Sequence, residues 1–231
     1  MLEGLNEMQK QAVLHTEGPL LVLAGAGSGK TKVLTHRIAH LINNKNVAPW
    51  SILAITFTNK SAKEMKERIS GLIGEANTRD MWVSTFHSMC VRILRRDGER
   101  LGFNKYFTIY DSSDQKALVK EVMKSKNINE KTLKPSEVIA YISSNKNQFI
   151  LPNEAITESN FRTKILAEIY LTYQYKLKEN NACDFDDLLL NTCVLFQNNP
   201  DVLENYQKKF KYILIDEYQD SATRCNMKSI A

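Results

Sequence analysis

The sequence has no apolar run long enough to cross a bilayer, and its opening, Met1-Leu2-Glu3-Gly4, lacks the basic-then-apolar build of a secretory leader. Its four cysteines, at positions 90, 183, 193 and 225, follow neither metal-ligand nor redox spacing. No tract is of low complexity, and no motif recurs at a solenoid period. These absences point away from membrane, disulfide-stapled and repeat architectures and towards a reduced cytosolic protein. What is present suffices for one large or two ordinary domains: 231 residues, 43% of them hydrophobic. Charge is unevenly spread. Residues 1–100 carry a net +5, residues 101–182 a net +3 and residues 183–231 a net −3. A mildly basic body suits a nucleic-acid partner, and it equally suits solvated basic helices.

Two segments carry the chemistry. The first is Ala24-Gly25-Ala26-Gly27-Ser28-Gly29-Lys30-Thr31. It follows the apolar run Leu20-Leu21-Val22-Leu23, which reads as a buried parallel strand, and precedes a helix over 31–42 with Leu34, Ile38, Leu41 and Ile42 at helical spacing. Strand, glycine-rich loop and helix are the context of a phosphate-binding loop. Glycines let backbone N–H groups approach phosphate, and the helix N-terminus adds its dipole. Lys30 neutralises the β- and γ-phosphates, and the Thr31 hydroxyl coordinates Mg²⁺. Ala24 stands where the eight-residue pattern has glycine; it too is small. The second segment, Tyr212-Ile213-Leu214-Ile215-Asp216-Glu217, is a hydrophobic strand ending in two acids. Ligands in open α/β sheets bind beyond such strand ends. Asp216 is placed to hold the metal, and Glu217 to orient and deprotonate the attacking water. Lys30, Asp216 and Glu217 are thus the candidate catalytic residues, with ATP and Mg²⁺ as cofactors.

Strands at 20–23, 52–56 and 82–84 alternate with helices at 31–42 and 60–73, a βαβ pattern that predicts a parallel sheet. Asn59 is the expected N-cap of the second helix, and Gly71 lies near its end. From about Phe103 the alternation stops. Helices are expected from Asp111 towards Lys126, from Pro135, and over 161–179; a further helix opens at Pro200 before the strand at 212–215. The fold class is therefore α/β, a sheet domain over 1–100 and 183–231 interrupted by an all-helical insertion over 101–182.

In this order and spacing the chain resembles the N-terminal part of a UvrD/Rep/PcrA-type superfamily 1 DNA helicase. Leu5-Asn6-Glu7-Met8-Gln9 matches the Q motif, Ala54-Ile55-Thr56-Phe57-Thr58-Asn59-Lys60 matches motif Ia, and Val83-Ser84-Thr85-Phe86-His87-Ser88-Met89-Cys90 matches the next DNA-contacting motif. Asp184-Phe185-Asp186-Asp187-Leu188-Leu189 matches a further family signature, and Asp216-Glu217-Tyr218-Gln219-Asp220 the helicase form of Walker B. The resemblance implies a RecA-like P-loop NTPase sheet with helices on both faces (subdomain 1A) and an insertion called 1B. It implies that Gln9 reads adenine beside the loop 24–31, and that Phe57, Thr58, Asn59, Thr85, Phe86 and His87 contact DNA. The implied activity is ATP-driven 3′ to 5′ movement along single-stranded DNA and unwinding, in repair or replication. The implied setting is the bacterial cytoplasm at the nucleoid, as a monomer without membrane, with single strands, duplex junctions and DNA-repair proteins as partners.

Single strands are held by stacking on aromatics and by polar backbone contacts, which Phe57 with Thr58 and Asn59 can supply. Phe57 and Phe86 can instead pack in a core, and His87 can be a hydrogen-bonded turn residue. Arg92, Arg95 and Arg96 flank either the DNA path or solvent. Asp184, Asp186 and Asp187 read as acids complementing a helix N-terminus rather than as a metal cluster. After Asp220 the chain departs from the family, and the second RecA-like domain with motifs III to VI does not follow. Three readings stand at this stage: the motor half of a helicase; a nucleotide- and DNA-binding module that unwinds nothing and inhibits a full-length relative; and an interaction fragment with neither ligand.

Overall fold

The computed structural model describes residues 2–156 and 161–217. The readings that fall on Tyr218, Gln219 and Asp220, and on the departing tail with Cys225, lie outside the described residues. In chain order the elements are α1 (Glu7–Leu14), α2 (Lys30–Lys45), β1 (Ile52–Thr56), α3 (Asn59–Ile73), α4 (Glu75–Thr78), β2 (Trp82–Thr85), α5 (Phe86–Asp97), β3 (Thr108–Tyr110), α6 (Ser112–Ser125), α7 (Pro135–Asn147), α8 (Pro152–Ala155), α9 (Phe161–Glu179), β4 (Ala182–Asp184), α10 (Phe185–Asn198), α11 (Pro200–Lys209) and β5 (Tyr212–Ile215). Among the described residues, 2–89 and 203–217 form one compact unit and 90–202 form the other.

The first unit is organised by a parallel sheet of order β2-β1-β5, as expected for an α/β protein. β1 is the middle strand and is buried along its whole length, which is why Ile52-Leu53-Ala54-Ile55 is apolar without alternation. Its two faces enter different packing. Ile52 and Ala54 join Leu214 of β5, Ile38, Leu41 and Ile42 of α2, and Met65, Ile69 and Ile73 of α3 in one core. Residues on the other face include Leu53, in register with Trp82. Trp82 meets Tyr206 and Phe210 edge-on at 6.3 and 5.0 Å. The apolar residues of α3 recur every three or four positions, and Thr58, not Asn59, caps it: its hydroxyl accepts from Ser61 N at 3.0 Å.

One expectation is overturned here. Leu20-Leu21-Val22-Leu23 forms no strand; these side chains are between 40 and 85% exposed. Apolarity records a preference for burial, but a strand exists only where a neighbour completes its ladder. β5 is the edge of the three-stranded sheet, and among the described residues no element pairs with 20–23.

The second unit is helical around Val119, Val122 and Met123 of α6, Val138 and Ile142 of α7, and Leu166, Tyr170, Tyr173 and Leu177 of α9. It is not all-helical: β3 and β4 pair in parallel, Thr108 with Ala182 and Tyr110 with Asp184. Strands of three residues are too short to show a period of two, so the sequence pattern conceals them. At the end of β4 sits a buried ion cluster. Asp184 and Asp187 form the capping box of α10, each carboxylate accepting from the other's backbone N–H. Between them lies the Lys146 ammonium, 2.7 Å from Asp184 Oδ2 and 2.8 Å from Asp187 Oδ1, with no side-chain exposure. Tyr173 Oη donates to Asp184 and Gln174 Nε2 donates to Asp187, both at 2.9 Å.

Burial disfavours every charge in this cluster, and the response is uneven. For Lys146 the two carboxylates outweigh burial and raise its pKa. For Asp184 burial alone would raise the pKa, but the Lys146 charge together with the hydrogen bonds from Lys146, the Asp187 backbone and Tyr173 outweighs it and lowers the pKa. Burial, reinforced by repulsion from Asp184, pushes the Asp187 carboxyl up to about 6. The two carboxyls thus titrate as a pair, the second proton leaving late.

Replacing Lys146 by Ala leaves two facing carboxylates buried without a counter-ion, and urea unfolding is expected to show a loss of about 3–5 kcal/mol. Asp187 supplies a pH signature. A carboxyl whose folded pKa is raised stabilises below its unfolded value and loses that contribution as pH rises through the folded one. The stability advantage of wild type over Asp187→Asn should therefore shrink between about pH 4 and pH 6 and stay level above. An advantage that grows over that window contradicts the assignment.

Candidate functional site

The loop between Leu23 and α2 turns on two glycines. Gly27 and Gly29 have φ of 75° and 85°, left-handed values that favour glycine, and Gly29 is the N-cap of α2. A Cβ at Gly29 would also lie 3.1 Å from Gln9 Nε2. No side chain caps α2, so its first-turn N–H groups face outwards from the loop without a side-chain acceptor. Lys30 Nζ folds back over the loop and donates to the carbonyls of Ala24 at 3.2 Å and Gly25 at 3.3 Å. Ser28 Oγ donates to Gly25 O at 2.7 Å. Ala26 completes the loop without a hydrogen-bonding side chain.

Gln9 lies against this loop. Its Nε2 donates to Ser28 O at 2.9 Å, and its Oε1 accepts from Asn6 N in the capping box of α1. The Q-motif glutamine and the glycine loop, far apart in sequence, are therefore in contact.

The second segment closes the site from the sheet. Asp216 N donates to Ile55 O at 2.8 Å, carrying the β1–β5 ladder one residue beyond β5. This fixes the buried Asp216 carboxylate, and Thr31 Oγ1 donates to its Oδ2 at 2.9 Å. Glu217 follows with φ of 56°, a left-handed conformation uncommon outside glycine and asparagine.

Because β1, β2 and β5 are parallel, the residues after each emerge at the same edge of the sheet: 57–59 after β1, 86–87 after β2, and 216–217 after β5. Phe57 is 48% exposed there, whereas Phe86 is buried. Thr58 is committed to capping α3. Asn59 Oδ1 accepts from Thr85 Oγ1 at 3.5 Å and from Ser88 Oγ at 3.4 Å, lacing the ends of β1 and β2 together. Ser88 is a participant that sequence reasoning passed over; its spacing from Thr85, typical of a hydroxyl cap, is the signal that could have shown it. His87 opens α5 beside Phe86, half-buried. Arg92, Arg95 and Arg96 are exposed, while Cys90, Ile93 and Leu94 of the same helix are buried. Asp184 and Asp187 act as helix caps around Lys146, a partner no spacing rule announces.

The model of the UvrD/REP helicase N-terminal domain family matches residues 5–225. The ATP-dependent DNA helicase PcrA of Staphylococcus epidermidis is 53% identical over 222 residues, and PcrA of Bacillus subtilis is 51% identical over 222 residues. Each alignment covers 96% of this chain and 30% of the relative, so the chain spans just under a third of the length of these proteins.

The two phenylalanines at the sheet edge should separate in unfolding experiments. Phe86→Ala empties a core position and is expected to cost about 3–5 kcal/mol. Phe57→Ala removes an exposed ring and should change stability by no more than about 0.5 kcal/mol. Equal losses would mean that Phe57 is a packing residue.

Proposed function

Because the chain belongs to the UvrD/REP helicase N-terminal domain family, we propose that it is the ATP-binding motor part of an ATP-dependent DNA helicase that moves 3′ to 5′ along single-stranded DNA in repair or replication. The observation that carries this reading is the 2.9 Å bond between Thr31 and Asp216, which joins the phosphate loop to the strand-end acid across 185 positions. On this reading residues 1–100 and 183–231 are the RecA-like subdomain 1A and 101–182 the 1B insertion, a narrower division than the compact unit 90–202. Unwinding is assigned to a protein of the relatives' length, in the bacterial cytoplasm at the nucleoid, with DNA-repair proteins as partners.

The residues fit Mg-ATP. The Thr31 hydroxyl and Asp216 carboxylate are oxygen donors, the ligand type a hard divalent cation takes. Together they would hold Mg²⁺, whose charge offsets that of the β- and γ-phosphate oxygens. Lys30 exchanges the Ala24 and Gly25 carbonyls for phosphate oxygens; the uncapped start of α2 and the N–H groups of 25–29 complete the anion cradle. Gln9 gives up Ser28 O to donate to adenine N7 while its carbonyl accepts from the N6 amino group, a pairing guanine cannot offer. Glu217 accepts the proton of the attacking water.

The DNA face follows from the same sheet edge. Phe57 presents a ring on which a base can stack. Asn59, Thr85 and His87 supply polar contacts, with Thr58 and the start of α3 turned to a phosphate. Phe86 supports this corner from within.

Titration with a fluorescent ATP analogue in Mg²⁺ tests the nucleotide site. Lys30→Ala removes a charge-assisted contact and is expected to weaken binding about 10- to 100-fold with the unfolding transition unchanged. Unaltered affinity would reject the phosphate-loop assignment.

A further inference from the structure

A groove of about 460 Å³ lies between α2 and α3, lined by Lys32, Thr35 and His36 from one helix and Arg68, Gly71 and Leu72 from the other. Three of its six lining residues are basic and none is acidic. The residues proposed to bind nucleotide and DNA do not line it.

Lys32 and Arg68 retain unused donor capacity, and His36 an unused ring nitrogen. Lys32 Nζ has one recorded acceptor, Gly4 O at 2.8 Å, and an ammonium has three donors. Arg68 approaches Glu64 only at 4.0 Å, with both side chains about half exposed, an ion pair of small worth. His36 Nδ1 lies 2.8 Å from Lys32 O, a carbonyl that can only accept. The proton of the neutral ring is thereby placed on Nδ1, and Nε2 is left as an acceptor, open to the P–OH of a protonated phosphate.

Gly71 is the second feature. It lies inside α3, where glycine is a poorer helix former than alanine. Its backbone is not left-handed, and a Cβ there would meet nothing within 4 Å. Neither conformation nor close packing calls for glycine. What its missing side chain does is keep the groove open beside Leu72, leaving an apolar wall next to two cationic side chains and the His36 ring.

We propose that the groove between α2 and α3 binds a small phosphate-bearing anion, held by Lys32, His36 and Arg68. Lys32 adjoins Thr31 in the first turn of α2 and also ties down Gly4 ahead of α1.

The test titrates pyrophosphate into the full chain and follows the His36 ring resonances by NMR, in wild type and in Lys30→Ala, which disables the phosphate loop. The expected result is a saturable His36 shift retained in Lys30→Ala. It should weaken about tenfold in Arg68→Gln, and be lost in Gly71→Leu, whose side chain fills the groove. Leucine is a better helix former than glycine and meets no neighbour at its Cβ, so Gly71→Leu should unfold no earlier than wild type. Absence of the wild-type shift overturns the proposal. So does its loss in Lys30→Ala, which places the anion in the loop 24–31, or its survival in Gly71→Leu.

Discussion

β1 is hydrogen-bonded on both sides and buried on both faces, and the first unit is arranged around that strand. A parallel ladder imposes direction: its strands end on the same side, so the turns that leave them gather along one edge. Phe57, Thr58 and Asn59, the Thr85–Ser88 corner, and Asp216 with Glu217 all hang from that edge. The bond from Asp216 N to Ile55 O extends the ladder past β5 and aims a buried carboxylate at the Thr31 hydroxyl. Side chains held by backbone hydrogen bonds need little reorganisation when a ligand arrives, which is the physical merit of placing them at strand ends rather than within long loops.

The second unit depends on a different kind of constraint. A lysine without side-chain exposure is tolerable only because two carboxylates and the aromatic rings of Tyr170 and Tyr173 surround it, the Tyr173 centroid lying 5.2 Å from Nζ. Those carboxylates also cap α10, so α7, α9, β4 and α10 meet at one point of charge. Such a cluster is weak evidence for net stability, since apolar residues of equal volume can do as well. Its effect is on geometry: Lys146, Asp184, Asp187 and Tyr173 are held in one arrangement by mutual hydrogen bonds.

The glycine loop shows how binding sites differ from cores. Lys30, Ser28 and Gln9 each donate to carbonyls of the loop itself. These are neutral acceptors in a solvent-accessible setting, and on the proposed reading their exchange for charged phosphate oxygens is favourable. By contrast Asp184 and Asp187 are bonded to groups with no better partner to find. Proximity of ionisable residues is common to both places; only the quality of their present partners tells a site poised for ligand from a finished structural joint.

How much was legible in the amino-acid order depended on range. Local signals were decisive: the glycine spacing of 24–31, the apolar strands at 52–56 and 212–215, the capping acids at 111 and 184, and the prolines that open α7 and α11 were readable because turn, cap and period act within a few residues. What tertiary structure decided was everything set by a distant partner. Leu20–Leu23 carries the composition of a strand but has no paired neighbour among the described residues, and β3 with β4 forms a ladder from segments too short to announce themselves. Phe57 and Phe86 occupy equivalent places after successive strands, yet one faces solvent and the other the core. Lys146 could have been any surface lysine until the fold brought it between two aspartates. Burial and pairing are sums over neighbours contributed by remote parts of the chain, and no window along the sequence contains that sum.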